Sequence, residues 1–165
     1  MWVTQMLETR SNSQRLTSNE QEVQERKDLL GRMQAIVNGR RNLILDSLHD
    51  DLRKPAREAI ATEISPVLAE LQFALENLDD WAQKSTLRPA GRTHGSYFAF
   101  PQPLGKALVI SAWNYPFQLA LLPIINALAA GNKVVLKPSE IAPSTAKVIK
   151  EISKQLDSNL SLIHI

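Results

Sequence analysis

The chain has 165 residues, 44% of them hydrophobic, with nine prolines, no cysteine and a formal net charge of +2. That length fits about one domain on the usual scale of roughly 100 to 200 residues each, and the hydrophobic content specifies a globular fold rather than a disordered tail. Charge alternates in sign, as in Glu25-Arg26-Lys27-Asp28, which leaves no electrostatic case for nucleic acid.

Residues 1–20 are rich in Ser, Thr, Asn and Gln and lack an apolar core long enough for a signal peptide, so they read as a mobile leader and a cytoplasmic location is expected. Residues 21–93 read as a helical region. Val23, Leu30, Met33 and Val37 fall on one face at helical spacing, and Leu45, Leu48 and Leu52 repeat the pattern after Asn38-Gly39 breaks it. Ile60, Ile64, Val67, Leu68, Leu71, Leu75 and Leu78 form a third stripe, in which Pro66 is expected to end one helix and start the next. Such stripes are core. Tyr97 to Phe100 alternates and reads as a strand within residues 94–105. His49, His94 and His164 are far apart and unaccompanied by cysteine, so no metal site is expected.

Residues 106–165 change character. Ala107 to Ser111 reads as a strand, Phe117 to Ala130 as a helix, Val134 to Lys137 as a second buried strand, Pro143 to Leu156 as a second helix, and Leu160 to Ile165 as a third strand or a foreign tail. This βαβα order specifies an α/β fold with a parallel sheet and right-handed crossovers, half of a nucleotide-binding domain. Pro116 marks a helix start, where a proline loses no hydrogen bond, and Gly131 marks its left-handed end. The stretch from Ala107 to Asn132 carries no charge. Its 14-residue helical part is roughly 21 Å long at 1.5 Å per residue, too short for a hydrocarbon core of about 30 Å. A buried helix under a sheet is expected instead, with no membrane segment.

Asn114 sits just outside the helix start. Its amide either ties the turn as a cap or points into the cleft at the carboxyl end of the preceding strand, where it donates to an oxygen that gains negative charge during a reaction. Lys137 and Glu140 end the second strand, either as a solvated pair or as partners for ribose hydroxyls. The turn Ser111-Ala112-Trp113-Asn114 contains no glycine-rich dinucleotide fingerprint.

Pro103-Leu104-Gly105, Trp113-Asn114-Tyr115-Pro116-Phe117, Ala129-Ala130-Gly131-Asn132 and Val135-Leu136-Lys137-Pro138-Ser139-Glu140 together resemble the aldehyde dehydrogenase superfamily. Thr62 to Leu68 and Ala74 to Leu78 are similar to its class-three branch, which oxidises fatty and aromatic aldehydes. The likeness covers roughly residues 21–156 and implies a modified Rossmann domain that binds NAD or NADP without the usual glycines. It implies that Asn114 stabilises the thiohemiacetal oxyanion, that Lys137 and Glu140 bind the adenosine ribose, that Ile110, Ser111 and Trp113 approach the cofactor largely through their backbone, and that Tyr115 lines the aldehyde entry. It also implies a homodimer, with the strand in residues 94–105 belonging to a small sheet that bridges subunits, and helices of residues 21–93 packed on the cofactor domain.

The family attacks its aldehyde with a cysteine thiolate, and this chain has none. The resemblance therefore implies the amino-terminal third of an enzyme, truncated within its cofactor domain and inactive alone. The alternative is a non-catalytic module with a structural or partner-binding role. At Leu52-Arg53-Lys54-Pro55 many relatives carry a glycine before the Lys-Pro, which leaves the loop geometry open.

Overall fold

The computed structural model describes residues 12–87, 91, 95–156 and 160–162. Helix α1 runs Asn12–Gly39 and α2 runs Arg41–Leu52. Residues 1–11 of the expected leader lie outside the described residues, but the helix begins at Asn12, inside that stretch. After α2 the chain turns at Arg53, then runs as one helical rod through α3 (Ala56–Ala59), a π turn (Ile60–Ile64) and α4 (Ser65–Trp81). Pro66 lies in the first turn of α4, the helix start expected of it, while the π turn before it delivers the chain without a break in the helical path.

The helical region ends earlier than residue 93. Ser85–Leu87 forms strand β1, pairing antiparallel with β2 (Tyr97–Ala99). Three exposed polar or terminal positions gave β1 no alternation to read. The larger sheet is parallel, in the order β3 (Lys106–Ile110), β4 (Lys133–Lys137), β5 (Leu160–Leu162). Helix α5 (Pro116–Ala129) joins the first two strands and α6 (Pro143–Ser153) follows β4. The expected continuation of the last strand over residues 163–165 lies outside the described residues.

Helix α5 explains the long uncharged stretch. It packs against β3 and β4 on one side and against α1 and α4 on the other, burying Phe117, Ala120, Leu121, Ile124, Ile125 and Leu128. A helix in the middle layer has no solvent face to charge. Each fully buried Leu, Ile or Phe stabilises the fold by about 1.5 to 3 kcal/mol. Leu30, Met33 and Val37 of α1 and Val67, Leu71 and Leu78 of α4 close the far side of this layer. The other sheet face is open: Leu108 and Ile110 of β3 are 61% and 67% exposed, because both crossover helices lie on one face only.

The turn after α5 follows directly from its sequence. Gly131 has φ +81°; its N–H donates to the Leu128 carbonyl and the Asn132 N–H to that of Ala127, both at 2.9 Å. This is the double closure that a left-handed residue makes possible. Asn132 then accepts from the Gly105 N–H at 2.9 Å, tying the entry of β3 to that of β4.

No described helix is long and apolar enough to cross a membrane.

Candidate active site

The carboxyl ends of β3 and β4 lie side by side. Ile110 is in register with Lys137, and the Ser111 N–H continues the ladder by donating to the Lys137 carbonyl at 3.1 Å. All seven sequence-derived candidates therefore fall on two adjacent strand ends and the turns that follow them, at the sheet edge where open α/β folds bind ligands.

Ile110 and Trp113 are exposed, whereas Ser111 is buried and its hydroxyl has no partner among the described residues. Such an orphan is uncommon, since buried polar atoms are nearly always satisfied. Tyr115, not Asn114, is the residue that caps α5, and it makes no side-chain cap bond. Asn114 is exposed, and its side-chain amide makes no hydrogen bond among the described residues. Of the two readings of this asparagine, the helix cap is thereby removed.

The cap is supplied from elsewhere. Glu63, in the π turn, is 0% exposed. Its Oε2 accepts the N–H of Phe117 at 3.1 Å and of Gln118 at 2.9 Å, the first free donors after Pro116. Its Oε1 accepts from the Lys54 ammonium, which also donates to the Asn114 carbonyl at 2.9 Å. The same Nζ stands 3.8 Å from the centre of the Tyr115 ring, a cation–π distance. Lys54 and Glu63 were not among the sequence-derived candidates. A signal existed: Glu63 lies on the helical face of Val67 and Leu71, where a lone carboxylate among apolar residues requires a buried partner.

Lys54 follows Arg53, the described non-glycine residue with positive φ (55°). Arg53 thus adopts the left-handed conformation that a glycine would occupy more easily, and its N–H closes α2 on the His49 carbonyl at 2.8 Å. The glycine-less corner keeps the glycine geometry. Just before it, Asp51 accepts the N–H of Ser144 at 3.0 Å and of Thr145 at 2.7 Å, capping α6 as Glu63 caps α5.

On the second strand end, Lys137 and Glu140 form an ion pair, with Glu140 solvated. The hydrogen bond from Lys137, followed by the local backbone and the Lys137 charge, holds the Glu140 carboxyl below the ordinary carboxylate range. Lys137 is the last residue of β4, and Glu140 lies three residues beyond it.

Two cavities of about 360 and 290 Å³ lie at the opposite, amino end of the strands, bounded by Arg26, Pro103 and the end of α5. They contain none of the candidate residues. Among the described residues no group of His, Asp or Glu is arranged to hold a metal ion; His94 and His164 lie outside them.

The aldehyde dehydrogenase family profile matches residues 4–164. The chain is 39% identical over 133 residues to aldehyde dehydrogenase family 3 member A2 of Macaca fascicularis, covering 79% of this chain and 27% of that protein. It is 35% identical over 145 residues to the 4,4'-diaponeurosporen-aldehyde dehydrogenase of Staphylococcus aureus, covering 87% and 32%. Among solved structures, the substrate-bound state of Staphylococcus aureus AldH superposes with a TM-score of 0.82 at 33% identity, over 90% of this chain and 33% of that one. The chain thus spans about 27% to 33% of the length of these proteins.

Proposed function

Because the chain belongs to the aldehyde dehydrogenase family, we propose that it is the amino-terminal part of an enzyme that oxidises an aldehyde to a carboxylate with NAD or NADP. The observation that carries this reading is the Asn114 side-chain amide, exposed beside the carboxyl end of β3 and released from capping by Glu63. An amide donor at that place lowers the energy of a transition state in which an aldehyde oxygen gains negative charge. The cysteine that attacks the aldehyde and the glutamate that activates water belong, on this reading, to the part of the enzyme beyond these residues. An apolar aldehyde, fatty or aromatic, agrees with the class-three resemblance of residues 62–68 and 74–78.

The donor set suits a nicotinamide dinucleotide, which when bound supplies the hydride acceptor. Glu140 accepts from vicinal ribose hydroxyls and Lys137 donates to one of them. Exchanging their mutual contact for ribose costs little, since Glu140 is solvated and water screens its ion pair. Ile110, Ser111 and Trp113 offer backbone groups beside that position. Tyr115 presents to the aldehyde path the ring face not covered by Lys54. A homodimer completes the reading, its bridging sheet supported by the β1–β2 pair with exposed Leu87 and Phe98.

The test is Asn114→Ala in the full-length enzyme. Acylation is expected to slow by about 10²- to 10³-fold with cofactor affinity retained; an unchanged rate refutes the oxyanion role. The absence of cysteine supports a second reading for the chain by itself, a module without catalysis. Both expect no aldehyde-dependent NADH or NADPH formation from the 165 residues alone, and measurable turnover would overturn them together.

A further inference from the structure

The Lys54–Glu63 pair belongs to the helical region, yet its hydrogen bonds and cation–π contact outside itself go to the turn that carries Asn114 and to the first turn of α5 that follows it. A fully buried carboxylate persists only if its oxygens are satisfied. Glu63 meets that condition with Phe117, Gln118 and Lys54. Lys54 then reaches the Asn114 carbonyl and the Tyr115 ring. The backbone is thus held at residue 114 itself, at the next side chain, and at the amides of 117 and 118, while the Asn114 side chain is left free. The π turn is part of the device. It packs against α5, and π turns are known to concentrate at functional positions; converting it to α-helix would move Glu63 about 100° around the helix, one residue's rotation.

We propose that Lys54 and Glu63 are positioning residues that aim the Asn114 amide, an inference that rests on the oxyanion reading of Asn114. The pair touches neither aldehyde nor cofactor and acts only through the turn. A misplacement of the donor by about 1 Å is enough to lower turnover on the order of 100-fold.

Two measurements test it. In the 165-residue chain, hydrogen exchange at the Phe117 and Gln118 amides is expected to be at least about tenfold slower than at Asn42 and Leu43, the corresponding positions of α2, which has no side-chain cap. Equal rates would overturn the proposal whatever the variants do. In the full-length enzyme, the double variant Lys54→Met/Glu63→Gln removes both charges together and leaves none buried alone. It is expected to lower kcat on the order of 10- to 100-fold while the NAD(P) dissociation constant stays within about twofold. Placed on an Asn114→Ala background, the same double change is expected to lower kcat by less than about twofold more, because its effect passes through the missing amide. If the two effects instead multiply, or the pair has none, the positioning role is wrong and the oxyanion role stands. If Asn114→Ala alone leaves kcat intact, the oxyanion role itself has failed.

Discussion

Helices α5 and α6 leave the same edge of the parallel sheet, and both begin with a proline at the first helical position, Pro116 and Pro143, and without a cap from their own chain segment. Each therefore presents two free N–H groups, and each receives a carboxylate from the helical region: Glu63 for α5, Asp51 for α6. The difference lies in solvent. Glu63 is sealed and neutralised by Lys54, whereas Asp51 is half-buried, with no ion-pair partner among the described residues. Capping from a distance docks the helical region onto the sheet in both cases, but only the sealed cap reaches on to a candidate catalytic group.

That contrast breaks most readily at Lys54. Lys54→Met leaves the Glu63 charge buried and unpaired, and a loss of about 3 to 5 kcal/mol in urea-denaturation stability of the chain is expected; a loss under about 1 kcal/mol would make the two helix ends equivalent. Asp51→Ala removes the solvated cap and is expected to cost about 1 kcal/mol, within the usual range of about 0.5 to 2 for such caps. If it matched the Lys54 variant, burial would not be what separates them. Between the two anchors stands Arg53. Since a left-handed non-glycine residue costs about 1 to 2 kcal/mol and glycine recovers part of that in unfolded-chain freedom, Arg53→Gly is expected to stabilise the chain by about 0.5 kcal/mol in the same assay. A destabilised variant would show that the Arg53 side chain, not its backbone, matters.

The smallest effect belongs to the exposed pair. Glu140 has its carboxyl held below the ordinary range by the Lys137 hydrogen bond, so the ionised form is the one favoured by folding. Its contribution is complete above the ordinary carboxylate range and disappears as pH falls through the lowered value. The melting temperature of the parent chain is therefore expected to exceed that of Glu140→Gln slightly at neutral pH, and the two curves to converge on acidification. A gap that widens toward low pH contradicts the assignment.

Much of the fold was legible because its signals are local. Pro116 and Gly131 delimit α5 within a residue, and the βαβα alternation of residues 106–162 needs only the neighbouring side chains to be read. What escaped is non-local or featureless. Strand β1 has three exposed residues and pairs with a segment beyond a loop. The Glu63 contacts join residues 54 and 55 positions apart, and no spacing rule spans that. Asn114 lay between these cases. Its place at the strand end followed from the pattern, but its freedom from capping depended on a carboxylate in the distant helical region. Arg53 shows the reverse: the residue looked wrong for its corner, and the backbone accepted it.

In an ordinary dinucleotide fold the first helix after the first strand offers its amino end to the pyrophosphate, which is held by exposed N–H groups and the positive end of the helix dipole. The end of α5 has no such vacancy. Glu63 behaves there as a built-in anion, a tethered surrogate for the phosphate, and Lys54 serves as its permanent counterion. A dinucleotide arriving at this helix would have to evict a buried carboxylate before finding a donor. The missing glycines and the internal carboxylate are thus two sides of one condition: a turn that never admits a phosphate has no need for bare backbone, and can carry tryptophan, asparagine and tyrosine instead.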